Sequence, residues 1–505
     1  MPSLTILHTK NLKNPINNLQ FKQIMRAKHI IAAMLLAATL FSVGCKKDPN
    51  PADPIVGSAF GRQLRSLDIV SSVDTIVPDQ NPANYAELYQ VFFNQPVDHN
   101  SPSAGTFRQK AYLFYVGNDR PTVLYTCGYT LSDVYKKIPF VDIAYNMNAN
   151  LVMVEHRYFG DSKPSNPTDW TYLTISQAAA DHHAIIQALK PLLPREWVST
   201  GTSKDGMTSV FLRYFYPDDI TVTTAFCSPF ITSLDYRPMG RYLQEESGTA
   251  EERSQMRALM NRLLQDGERG LFARFLQLLE ENNLSDPDNA YTYTAYVNGC
   301  IHYFFSFFSY QTPATRHMAD LNLPDDKLLT TVFEEVFKQE DNSDFYPYNI
   351  QIAKELGTYI NDFTPYADLL EGTTFDINEL LKDPSGLKPE DQWLYQTYDN
   401  TKLTDIRNRF IPSTTCPILF VYSKDDPWTG ARPDQINEQY SKMIINPLGI
   451  HNHDINNTEH YKPETCQEVM DFIARYVNYG NSPVVAKRAP YSYVHEMNDK
   501  FMIRR

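Results

Sequence analysis

The chain has 505 residues, room for two or three domains' worth of core, and its 42% hydrophobic, 21% charged and 13% aromatic residues are those of ordinary globular protein. A formal net charge of −13 leaves no cationic surplus to neutralise phosphates, which argues against a nucleic-acid partner. Six cysteines without a Cys-x-x-Cys pair indicate neither zinc nor a dense disulfide framework, and no metal or cofactor is expected.

In chain order, residues 1–45 read as a targeting segment and are set aside from the fold. Arg26, Lys28 and His29 make a positive stub, residues 30–41 an apolar run, and Ser42-Val43-Gly44-Cys45 a close of small residues before a cysteine. The run is too short to span a bilayer comfortably as a mature helix, so cleavage is the expectation. The close resembles a bacterial lipoprotein signal. That resemblance implies lipidation of Cys45 and an exported protein held to a bacterial membrane, periplasmic or at the cell surface, through a lipid anchor only. Residues 46–60, with Pro49, Pro51 and Pro54, follow as a tether.

Residues 61–235 are expected to build the first part of an α/β core. Two alternating aromatic runs, 88–93 and 107–116, predict an antiparallel pair. Apolar runs at 122–126, 151–155, 197–200 and 222–227 predict buried strands. A helix over about 176–192 precedes the third of these, with Ala178, Ala179, Ile185, Ile186 and Leu189 facing inward. Another helix follows the third strand, carried by Met207, Val210, Phe211, Tyr214 and Phe215. Alternating strands and helices argue for a mostly parallel sheet covered on both faces.

Residues 236–400 change character. Helical stretches at 251–279, 290–310, 328–337 and 350–356, with no strand among them, predict a large helical cap inserted in the core. Residues 401–485 return to the core through strands at 416–422 and 442–446 and an amphipathic helix at 463–479, and 486–505 form a tail. The five later cysteines, Cys127, Cys227, Cys300, Cys416 and Cys466, read mostly as buried small hydrophobes, and an exported chain leaves one disulfide open.

The stretch Gly201-Thr202-Ser203-Lys204-Asp205-Gly206 lies on the strand-to-helix junction and has the form of a nucleophile elbow. Such a turn needs small neighbours, holds the serine in a strained conformation and presents its oxygen beyond the sheet. The order serine, helical insertion, acid after a strand, histidine after the next strand is that of the α/β-hydrolase triad. Asp426, before Pro427, fills the acid slot, with Asp425 as the neighbouring alternative. His451, after Pro447-Leu448-Gly449, fills the histidine slot, with His453 and His460 open. Backbone amides of Tyr129 and Lys204 are the expected oxyanion donors. Asp205 stands where the usual elbow has glycine, and a carboxylate beside a developing oxyanion opposes catalysis. The alternative readings are therefore a catalytically impaired surface binding protein, or an esterase on the same core.

Three motif groups carry a resemblance. Gln95-Pro96-Val97-Asp98-His99-Asn100 with Gly105-Thr106-Phe107, then Glu155-His156-Arg157-Tyr158-Phe159-Gly160 with Ser162, then Tyr172-Leu173-Thr174 with Gln177, Ala178 and Asp181, occur in this order. They resemble two sister groups of secreted serine exopeptidases: the bacterial tripeptidyl aminopeptidases, often acting after proline, and the lysosomal Pro-X carboxypeptidases. Ser203-Lys204 with Gly206-Met207-Thr208, and Arg213 through Pro217, are closer to the first. Asp426-Pro427-Trp428 and His451 with Asp454 are similar to both. The resemblance implies an α/β-hydrolase fold with a helical cap, and a serine peptidase taking peptides with a free N-terminus. In the cap, Glu280 and Glu281 read as a solvated helix end. Glu155 is expected to bury its charge against Arg157.

Overall fold

A computed structural model of the protein describes residues 58–285, 291–337 and 345–480. Nine strands form one sheet: β1 (Val70–Thr75), β2 (Glu87–Pro96), β3 (Thr106–Tyr115), β4 (Thr122–Thr126), β5 (Asn150–Val154), β6 (Trp197–Thr202), β7 (Val222–Phe226), β8 (Ile418–Ser423) and β9 (Lys442–Asn446). Their spatial order is 1-2-3-5-4-6-7-8-9. β1 to β3 make an antiparallel meander, β3 meets β5 antiparallel, and every pair from β5 to β9 is parallel. The five strands β4 to β8 are buried along their whole length, which is why they read in the sequence as unbroken apolar runs. The α-helices of eight or more residues are numbered α1 to α8. Of these, α1 (Ile175–Leu189) and α2 (Lys204–Phe215) lie in the first part of the core and α8 (Pro463–Ala474) closes it. This swapped β5-β4 pair inside an otherwise sequential parallel sheet is the α/β-hydrolase arrangement, as expected.

The cap holds α3 (Pro238–Glu245), α4 (Ala250–Leu264), α5 (Leu271–Glu281), α6 (Tyr293–Tyr310) and α7 (Asp325–Val336). These close their own apolar interior around Met256, Leu259, Phe275, Tyr296, Phe304 and Phe333. The stretch expected as one helix over 251–279 is two. Asp266 and Gly267 take left-handed φ of 64° and 56°, and a side chain on Gly270 would meet the Gln265 carbonyl at 2.1 Å.

Several short elements escaped the sequence reading, among them α3 and two at the start of the described fold. A short helix, Ala59–Arg65, begins inside the expected tether, with Phe60 stacked on Tyr115 at 3.9 Å between ring centroids, so residues 58–60 belong to the fold and not to the tether. β1 is an edge strand rich in serine, with one buried residue, Val73, and so carries no alternation to detect. The signal, the lipidation site at Cys45, the last residues of the expected core at 481–485 and the tail at 486–505 lie outside the described residues. Among the described residues no helix is long and apolar enough to cross a membrane. The five described cysteines form no disulfide with one another.

Candidate active site

The elbow is built by close approach. Ser203 has φ 57° and ψ −126°, a region that a side chain enters only at a cost of order 1–3 kcal/mol. A side chain on Gly201 would meet the Asp205 backbone at 2.5 Å, and one on Gly206 would meet Ser228 Oγ at 2.1 Å and the Gly201 carbonyl at 2.7 Å. The turn therefore needs glycine at 201 and 206, which explains why the second glycine falls one place later than in the usual motif. The Ser203 amide donates to the Phe226 carbonyl at 2.8 Å, stitching the elbow to the end of β7. Lys204 opens α2, where the helix dipole presents amides to an anion.

Asp205 is tied into the interior of the fold. Its carboxylate is buried and already bound: Oδ2 accepts from the Tyr125 hydroxyl at 2.6 Å and Oδ1 from the Gly128 amide at 2.6 Å. Burial first, and then the Asp205 charge, push the Tyr125 phenol well above its ordinary value. The acid is thus spent on fixing the loop after β4, the loop that carries Tyr129. Lys204 holds the same loop from the other side, its Nζ donating to the Gly128 carbonyl and lying 4.9 Å from the Tyr129 ring centroid.

Glu155 departs from the expected pairing. It pairs with Lys110 at 3.2 Å, not with Arg157, and its carboxylate accepts from Ser162 Oγ at 2.7 Å and from the amides of Asp161 and Leu131 at 2.9 and 3.0 Å. Burial raises its carboxyl above the ordinary range, against the opposing pull of Lys110. Gly160, with φ 47°, is obligatory because a side chain there would meet Glu155 Oε1 at 2.2 Å. Two buried carboxylates, Asp205 and Glu155, therefore grip the loop over residues 128–131 at both ends.

Arg157 instead holds Asp181 through Nε and Nη2, both at 2.7 Å, and Asp181 also bonds His99 Nε2 at 2.7 Å. Gln95 bonds Gln109 and the Asp181 carbonyl, and Gln177 bonds Asp98. The three motif groups near residues 95–109, 155–162 and 172–181 are thus one polar network pinning β2, β3, β5 and α1. They hold these elements of the core together.

At the same carboxyl edge of the sheet, Asp426 Oδ2 bonds His451 Nδ1 at 2.7 Å, both side chains being buried. Asp425 is excluded from that place: it is ion-paired with Arg316 of the cap at 2.8 Å and accepts from the Gly248 amide at 3.2 Å. His453 shares a hydrogen bond with Thr202 Oγ1 at 2.6 Å, and His460 is bonded to Asp454 and to the Asn452 amide group. Cys227, directly after the residue that receives the Ser203 amide, has its Sγ within 4.8 Å of the ligand atoms of both Asp426 and His451. A cation among these three would have to part the histidine from its carboxylate. Among the described residues the Ser203 hydroxyl makes no hydrogen bond. A nucleophile–base contact is often long until substrate draws it in.

Aromatic rings wall the pair. Trp428 lies 5.5 Å and Tyr310 6.2 Å from the His451 ring, and Trp428 packs edge-on against Phe305 and Tyr359. Across the elbow, Tyr129 packs on Phe345 and Tyr348. Tyr310, Phe305 and Ser309, all on α6, were not singled out in the sequence, since nothing but tertiary packing brings a cap helix to the catalytic edge. Glu281 pairs with Arg274 at 2.8 Å on the surface and Glu280 is exposed, a solvated helix end as read.

Strand order, elbow and the histidine–carboxylate pair define a serine hydrolase of the α/β-hydrolase fold. A solved structure of an alpha/beta fold family hydrolase from Bacillus anthracis str. Sterne covers 80% of this chain and 99% of its own at 12% identity, with a TM-score of 0.30, and the fold assignment rests on the strand order itself. Residues 65–460 match the PS-10 peptidase S37 family, and the chain belongs to it: it is a serine peptidase. The prolyl tri/tetrapeptidyl aminopeptidase of Streptomyces mobaraensis is 30% identical over 353 residues, 67% of this chain and 69% of the relative. The human lysosomal Pro-X carboxypeptidase is 29% identical over 186 residues, 32% of this chain and 35% of that enzyme, so the match spans about a third of the carboxypeptidase.

Proposed function

We propose that this peptidase is an exopeptidase that releases short peptides from free N-termini after proline, through an acyl-enzyme on Ser203. His451 takes the hydroxyl proton, the oxygen attacks the scissile carbonyl, and Asp426 orients the imidazole and steadies its positive charge. The amides of Lys204 and Tyr129 receive the oxyanion, and water, activated by the same imidazole, releases the peptide. The observation that carries this reading is the 2.7 Å Asp426–His451 bond, set after β8 and β9 at the same sheet edge as the strained serine. Proline is favoured by the flat aromatic wall of Trp428 and Tyr310 beside His451 and by the name of the Streptomyces relative. Export and lipidation at Cys45 complete the reading, supported by the small residues before that cysteine.

The test uses Ala-Ala-Pro-aminomethylcoumarin with a free amine and its N-acetyl derivative. Cleavage of the first and not the second is expected; equal cleavage sinks the aminopeptidase assignment. Faster turnover of short acyl esters than of any peptide would favour an esterase. Fatty-acid labelling of the full chain, absent in Cys45→Ala, checks the anchor.

A further inference from the structure

The acid and the base of the site are both bonded to one residue of the cap. Ser309 Oγ donates to Asp426 Oδ1 at 2.8 Å, while Oδ2 of the same carboxylate holds His451. The Ser309 carbonyl accepts the His451 amide at 2.7 Å. Ser309 is fully buried on the last turn of α6, and its neighbours on that helix reach the same place: Phe305 against Trp428, Tyr310 against His451. The core supplies Asp426 a single weaker donor, the Trp428 amide at 3.3 Å to Oδ1. A carboxylate free to rotate about its terminal torsion would present either oxygen to the imidazole, and the Ser309 hydroxyl removes that freedom by occupying one of them.

We propose that Ser309 is a positioning residue for the reaction, a fourth member of the catalytic set contributed by the cap. It acts through Asp426 and His451, and the proposal therefore rests on their assignment as acid and base. Serine suits the task on three counts. Its hydroxyl is short enough to reach a carboxylate from a helix backbone, its carbonyl near the helix C-terminus is free of an intrahelical partner and so accepts the loop amide, and it adds no charge that would weaken the pairing with imidazolium. A consequence follows for access. The end of α6 cannot lift from the core without releasing both bonds, so substrate enters past another part of the cap, and the cap is part of the catalytic machinery rather than a cover over it.

The experiment uses the full chain with Ser309→Ala and Ser309→Thr, and reads kcat and KM on the free-amine tripeptide together with the second-order rate of fluorophosphonate labelling of Ser203. Loss of a charge-assisted hydrogen bond that orients the pair is expected to lower kcat and the labelling rate in parallel, by about tenfold in Ser309→Ala, with KM within about twofold of wild type. Ser309→Thr, which keeps the hydroxyl, is expected to recover most of both rates. Labelling and kcat unchanged in the alanine variant overturn the proposal. So does a loss that threonine fails to recover in protein with a wild-type melting temperature, because packing and not the hydroxyl is then responsible. Asp426→Asn and His451→Ala separate the two claims. If either keeps wild-type labelling, the acid–base assignment itself falls, whereas their inactivity beside an unaffected Ser309→Ala removes Ser309 alone.

Discussion

Replacing Asp205 by glycine, the residue usual at this point of an elbow, separates two accounts of the site. If the carboxylate repelled an oxyanion, its removal would speed the reaction. The structure predicts the opposite. Asp205 satisfies two groups in the interior, the Tyr125 hydroxyl and the Gly128 amide, each at 2.6 Å. Each partner left unsatisfied costs about 1–3 kcal/mol. Release of a buried carboxylate offsets part of this, and glycine in the first turn of α2 adds up to about 1 kcal/mol. A net loss of about 3 kcal/mol is expected. A folded unit of roughly 420 residues has an unfolding entropy of about 0.9 kcal/mol/K, so the melting temperature should fall by about 3 °C. The chemical effect should be larger in proportion, since the loosened loop carries the Tyr129 amide, and a lost oxyanion donor costs about a hundredfold or more in kcat. A drop of about tenfold or more in fluorophosphonate labelling of Ser203 is expected, with partial recovery in Asp205→Asn. Faster labelling in Asp205→Gly, or a raised melting temperature, would refute the clamp.

Other predictions follow from single contacts. Gly206→Ala drives a methyl into Ser228 Oγ and the Gly201 carbonyl, so it should abolish labelling, and adding Ser228→Ala should not restore it because the backbone clash remains. Arg157→Met leaves Asp181 buried without its cation and should cost about 3–5 kcal/mol, seen as a lowered melting temperature; an unchanged melt would contradict the pinning role of the network. Burial, then the charge of Asp426, push the Cys227 thiol well above its ordinary value, so iodoacetamide at pH 8 should leave Cys227 intact in folded protein, as mass mapping can show. Burial lifts Glu355 from its ordinary 4.5 to about 7. The folded chain then keeps this proton where the unfolded chain has lost it, so stability falls as pH rises from about 4.5 to about 7. Glu355→Gln, which still accepts from the Ile175 amide now bonded at 2.6 Å, should flatten that decline in a series of thermal melts.

The amino-acid sequence settled the order of the elements and the slots of the chemistry. Strands buried on both faces announce themselves as apolar runs, and β4 and β9 fall at the residues read for them. A serine between a buried strand and a helix, an Asp-Pro after a late strand and a histidine after the last one are local signals tied to chain order, so Ser203, Asp426 and His451 were nameable without coordinates. What each polar residue bonds to was not legible, because partners far apart in the chain are chosen by packing. Glu155 found Lys110 across the sheet, Arg157 found Asp181, and Asp205 found the Gly128 amide on the loop after β4. The choice between Asp425 and Asp426 was also tertiary: adjacent acids point to opposite partners, and only the approach of Arg316 and Ser309 from the cap assigns one to structure and the other to the histidine. The cap itself read as a featureless helical insertion. Its part in the site comes from where α6 ends, and helical periodicity records which face is buried, never what lies beneath it.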